Sequence, residues 1–157
     1  MQALAGLRQG EVRALEVRDV DFKQSVIHVR RALSENEPVS PKGNKHRTIP
    51  MLLELAEVLR AACACKLPRA LVVPDDEGRP LRRHEYLRKL QLLERRHGLE
   101  EWISHALRHA FCSTLARHGA NIEAIRALAG HTNVATTQRY VHANAGDLVA
   151  TISKLRS

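Results

Sequence analysis

The chain has 157 residues, 44 % of them apolar and only 3 % aromatic, with a net charge of +8. That length and composition suit one folded domain with an aliphatic core, and no apolar run is long enough to span a bilayer. The opening MQALAGLRQG lacks the basic-then-apolar order of a secretory signal, so a cytoplasmic protein with a polyanionic partner, nucleic acid first, is expected. Residues 9–17 (QGEVRALEV) have helical spacing. Residues 25–31 (SVIHVRR) alternate and are β-branched, which predicts a strand, and HRTIP (46–50) predicts its returning partner beyond the breakers Pro38, Pro41 and Gly43. Residues 51–65 predict an apolar-rich helix, and LVVP (71–74) a short buried strand closed by the turn DDEGRP.

From Leu81 the pattern is helical. Residues 82–97 are strongly basic on one side. Ser104 is the expected cap of a helix over 105–118 that Gly119 ends, and Asn121 of a helix over 122–129 that Gly130 ends. Thr132 or Asn133 is expected to cap a helix carrying Tyr140, and 146–156 (GDLVATISKLR) forms a last amphipathic helix. There is no internal repeat or linker. The fold expected is one mainly helical α+β domain over 1–157, with a small antiparallel sheet near its start.

Cys63, Cys65 and Cys112 include no CxxC pair, and Cys63 and Cys65 are too close to bridge without strain, so reduced thiols are expected. His105 and His109 are one helical turn apart, but the residue after His105 is Ala106, not the glutamate of HExxH. No metal site is expected.

Taken singly, the polar motifs are bland. His105 and Arg108 in SHALRHAF (104–111) share a helix face, Arg8 and Glu11 lie three apart in GLRQGE (6–11), and PKGNKHR (41–47) is a basic loop between two strands. GHTNVATTQRY (130–140) adds His131 and Tyr140. Together they have a chemical meaning. A tyrosine hydroxyl titrates near 10 and is a weak nucleophile at neutral pH. Attack on a DNA phosphodiester requires the charge of the phosphoryl transition state to be neutralised. Arginine forks match two phosphate oxygens, histidines add hydrogen bonds, and a lysine on a loop can protonate the departing 5′ oxygen. No metal or other cofactor is needed.

GLRxxE, PKGNK, HALRHAF, LAGH and TTQRYVH occur in the order found in the tyrosine recombinase (phage integrase) family, and the chain resembles that family's catalytic domain over essentially its whole length. KGNK alone is a weak signal; HxLRH followed by LxGHxxxxTTxxY is specific. The resemblance implies site-specific DNA breaking and rejoining through a covalent 3′-phosphotyrosyl intermediate. It implies Tyr140 as nucleophile, Arg8, His105, Arg108 and His131 as catalytic groups, and Glu11 as their buttress. Lys42 matches the hairpin lysine expected to be the general acid, with Lys45 on the same loop able to reach instead. Lys45, Arg47, Arg82, Arg83, Arg88 and Lys89 are the expected phosphate contacts, and Tyr86 a packing residue or backbone contact.

Double-stranded DNA is then the expected partner, with four protomers assembling on it and the free chain a possible monomer. The last helix is expected to pack either on a neighbouring subunit or on its own domain. Arg8 stands only seven residues from Met1, so the chain is expected to lack the N-terminal core-binding domain usual in the family, and the first helices of the catalytic domain. Two rival outcomes share these residues: a truncated DNA-binding module without recombination, and nicking and closing in the manner of a type IB topoisomerase.

Overall fold

A computed structural model describes residues 1–35, 37–39, 46–98, 104–131 and 136–137. The helices are α1 (Gln2–Ala5), α2 (Gln9–Arg13), α3 (Leu53–Cys63), α4 (Arg83–Arg96), α5 (Ser104–Arg117) and α6 (Ile122–Ala129). The strands are β1 (Val20–Asp21), β2 (Val26–Val29), β3 (Ala32–Ser34), β4 (Glu37–Val39) and β5 (Arg47–Pro50). The described part is therefore mainly helical with a small antiparallel sheet near its start, as the sequence predicts.

The sheet has the order β1-β2-β5, both pairings antiparallel, with Ile27 opposite Ile49 and Val29 opposite Arg47. Alternation places Ile27, Val29 and Ile49 inward, where they join Leu7, Val12, Leu15, Leu55 and Leu59 in one aliphatic core. A smaller cluster of Cys112, Ile125 and Ala129 joins α5 to α6, with Phe111 and Leu115 beside it. Phe111 lies over Gly6, where the chain turns through φ 61° after α1; a Cβ there would stand 2.5 Å from the ring. Gly6 thus serves both the turn and the seating of α1 on α5.

Several boundaries differ from expectation. The helix expected over 9–17 ends at Arg13, and a 3-10 turn (Val17–Asp19) follows. LVVP is no ladder strand: Leu71 makes one isolated bridge to Glu16, and Pro74 another to Pro80. Pro74 has no N–H to donate, which stops a ladder there, yet Val72 is buried as expected. The hairpin β3–β4 is an addition; its three-residue strands are too short to show alternation. Ser104 is the first residue of α5 rather than a residue before it.

The caps expected around α6 are present. The Asn121 side chain accepts from Glu123 N at 2.8 Å, and Gly130 ends the helix in the left-handed region. Among the described residues no helix is long and apolar enough to cross a membrane. Cys63 and Cys112 are buried and Cys65 is exposed, all three as free thiols. The expected helices around Tyr140 and over 146–156 lie outside the described residues.

Candidate active site

The site is built around the C-terminal end of α6. A helix leaves its last carbonyls without partners inside the helix, and they carry the negative end of its dipole. Here Gly130 N donates to Ala127 O and His131 N to Arg126 O, the two bonds of a Schellman ending. The next three carbonyls each accept from a different guanidinium. Arg47 Nε donates to Leu128 O at 2.9 Å, Arg108 Nη2 donates to Ala129 O, and Arg8 Nη2 donates to Gly130 O at 2.6 Å. Arg108 also donates to Gly6 O, the carbonyl that the α1 turn presents. Residues more than a hundred positions apart are thereby drawn to one point.

Glu11 holds the other side of the cluster. Its carboxylate accepts from Arg8 N (2.7 Å) and Arg8 Nη1 (3.0 Å), and from Arg47 Nη1 (2.8 Å) and Nη2 (2.7 Å). Arg8 is the N-cap residue of α2 and Glu11 the third residue in, so the capping bond to Arg8 N fixes the carboxylate beside the guanidinium it must hold. Burial alone would raise the pKa of Glu11, but the hydrogen bonds and charge of Arg47, then Arg8, bring it below the ordinary carboxylate range.

The balance of charge is the main electrostatic fact. Among the described residues, Arg8, Arg47 and Arg108 converge against one carboxylate, Glu11. Arg108 is almost wholly buried, and burial followed by the charge of Arg8 lowers its pKa to about 10, which leaves it a cation at neutral pH. Arg8 is the most exposed of the three, with 30 % of its side chain accessible. A desolvated cluster with excess positive charge is suited to an anion.

His131 follows the helix end directly, and its Nδ1 lies 3.0 Å from Oγ1 of the fully buried Thr137. Burial, then the charges of Arg108 and Arg8, lower its pKa to about 4. At neutral pH it is an uncharged imidazole, suited to giving a hydrogen bond rather than acting as a cation. His105 is exposed on α5, one turn before Arg108, with its ring edge-on to His109 at 6.5 Å between centroids.

Of the residues singled out in the sequence, the fold brings together Arg8, Glu11, Arg108 and His131, with His105 on the helix of Arg108. Lys42, Lys45 and Tyr140 lie outside the described residues. Arg47, expected as a phosphate contact, is turned inward, 10 % exposed, and bonded to Glu11 and α6. Arg82, Arg83, Arg88 and Lys89 are exposed on or beside α4, Arg83 pairing with Glu35 at 3.0 Å. Tyr86 is a packing residue whose hydroxyl donates to Gln2 Oε1 at 2.8 Å, and burial raises its pKa to about 12. Thr137 was not singled out; its place in TTQRY, six residues after His131, was the available signal.

The phage integrase family pattern matches residues 1–146. The chain is 30 % identical to the tyrosine recombinase XerD of Pseudomonas putida over 145 residues, which is 87 % of this chain and 45 % of that one. It is 28 % identical to XerC of Thermodesulfovibrio yellowstonii over 96 % of this chain and 50 % of that one. It spans about half the length of the curated relatives it matches. Among solved structures, the Tn1549 transposon integrase in complex with circular intermediate DNA superposes with a TM-score of 0.84. That match has 26 % identity and covers 98 % of this chain and 57 % of the other. With the guanidinium cluster at the end of α6, these likenesses lead to one conclusion: the chain belongs to the phage integrase family.

Proposed function

We propose that residues 1–157 are the catalytic domain of a tyrosine-type site-specific recombinase that breaks and rejoins double-stranded DNA. The observation that carries this reading is the convergence of Arg8 and Arg108 on the end of α6, beside His131, with more positive charge than Glu11 balances. In the mechanism, the Tyr140 hydroxyl attacks a phosphodiester and releases its proton to solvent, forming a bond to the 3′ phosphate and breaking the bond to the 5′ oxygen. The 5′ oxygen takes a proton from Lys42, or from Lys45 on the same loop. Arg8 and Arg108 hold the non-bridging oxygens as charge builds on them, with hydrogen bonds from His131 and His105. The phosphotyrosyl bond conserves the energy of the broken bond, so attack by a 5′ hydroxyl restores the backbone without nucleotide or metal.

The charge on and beside α4 (Arg82, Arg83, Arg88 and Lys89) supports phosphate contacts that give affinity rather than sequence choice. Four protomers on two duplexes complete the exchange, in the cytoplasm where the DNA lies. The test is relaxation of negatively supercoiled plasmid in EDTA without ATP. The wild-type chain relaxes the plasmid and leaves a detergent-trapped covalent adduct, and Tyr140→Phe does neither. An adduct formed by Tyr140→Phe would refute the assignment.

A further inference from the structure

Arg47 was expected as a phosphate contact, and its geometry favours another role. All three of its guanidine nitrogens are engaged by protein: Nε with Leu128 O, Nη1 with Glu11 Oε1 and Nη2 with Glu11 Oε2, at 2.7–2.9 Å. This is the bidentate fork on a carboxylate, closed by a third bond to a helix end. It is better buried than Arg8, and it lies against Gly130, where a Cβ would stand 2.9 Å from its Nη1.

Three elements meet at this side chain. Arg47 is the first residue of β5 and so anchors that strand, which pairs with β2. It holds Glu11, the carboxylate that fixes Arg8. It also holds the last turn of α6, whose next two carbonyls orient Arg108 and Arg8. Without Arg47, Glu11 would have only Arg8 to pair with among the described residues, and the excess positive charge there would fall.

We propose that Arg47 is a positioning residue for phosphoryl transfer, one that sets Arg8 and Arg108 as a rigid pair through Glu11 and α6 and does not itself bind DNA. This rests on the recombinase reading above. A phosphate contact and a positioning residue fail in different ways. Loss of a phosphate contact weakens binding across all sequences and lowers the salt dependence by about one counterion. Loss of a positioning residue leaves binding intact and slows the chemical step, since a displacement of about 1 Å can cost about 100-fold.

The experiment measures DNA affinity at several salt concentrations, and the rate of covalent adduct formation at saturating DNA. It uses the wild type, Arg47→Met, Arg47→Lys, Glu11→Gln and the double variant Glu11→Gln/Arg47→Met. Arg47→Met should slow adduct formation about 100-fold with affinity and salt slope unchanged. Arg47→Lys should not restore the rate, because one ammonium cannot span both Glu11 oxygens and Leu128 O. The double variant should be little slower than the slower single variant, since both remove one interaction. Weaker binding with a shallower salt slope and an unchanged saturated rate would overturn the proposal, as would effects that multiply in the double variant. If Arg47→Met does not fold, the same readouts on Arg47→Lys and Glu11→Gln decide. No adduct from the wild type would overturn the recombinase reading and this inference with it, whereas a wild-type adduct with binding-only defects would overturn this inference alone.

Discussion

Replacing Glu11 by Gln keeps the shape of the side chain and removes its charge. The carboxylate is almost fully buried and accepts four bonds, two from Arg8 and two from Arg47. The amide can keep one oxygen as an acceptor, but its NH2 must face one N–H of Arg8 and one of Arg47, so two bonds are lost. Removing one partner of a buried ion pair costs about 3–5 kcal/mol, because the remaining charges stay buried without compensation. We expect a loss of about 3 kcal/mol at pH 7, roughly 6–12 °C in Tm for a domain of this size. The sign with pH follows from the depressed pKa of Glu11. Its stabilisation is fully present above its ordinary value of 4.5 and is lost as pH falls through the lower folded value. Urea unfolding of wild type and variant at pH 7, and in steps below pH 4.5, should show a gap that narrows in acid. A gap below about 0.5 kcal/mol at pH 7, or one unchanged in acid, would refute the view of Glu11 as the counter-charge of the cluster.

Further outcomes are expected at three residues. His131, with a pKa of about 4, should show no titration of its ring protons by NMR between pH 8 and pH 5.5. Its unfolded-state value of 6.5 exceeds the folded one, so its contribution to stability should be lost as pH falls from 6.5 towards 4 and be absent in His131→Asn. Arg108→Lys should fold but slow adduct formation by about 100- to 1,000-fold in single-turnover assays, because a point charge cannot bond Gly6 O and Ala129 O and also meet a phosphate. Gly10→Ala would set a Cβ 2.3 Å from the Leu33 carbonyl oxygen and should destabilise by about 1–3 kcal/mol in urea melts, the backbone of β3 having to move.

The helices were legible where period and caps agree. Asn121 and Gly130 bracket α6 in sequence as they do in the fold, and Ile27 and Val29 announce the inward face of β2. Strands of two or three residues carry no period, so β1, β3 and β4 were not legible. The residue types of the site could be read from motifs, but their connections could not. Nothing local in HRTIP shows that Arg47 turns inward, because its partners, Glu11 and Leu128, lie 36 and 81 positions away. Arg13 is a similar case: it is buried and donates to Leu81 O and Glu35 O at 2.6 Å, where sequence alone gives only one more basic residue.

In the proposed mechanism Tyr140 becomes joined to a DNA 3′ phosphate whose oxygens Arg8 and Arg108 hold. The direct measurement is to quench the wild-type chain with detergent during plasmid relaxation, digest the adduct with nuclease and protease, and identify the modified peptide by mass spectrometry. A nucleotide 3′ phosphate on the tyrosine of the peptide containing Tyr140, absent when either Arg8 or Arg108 is alanine, is the predicted result. A phosphate on any other side chain, or an adduct formed equally well without either arginine, would contradict it.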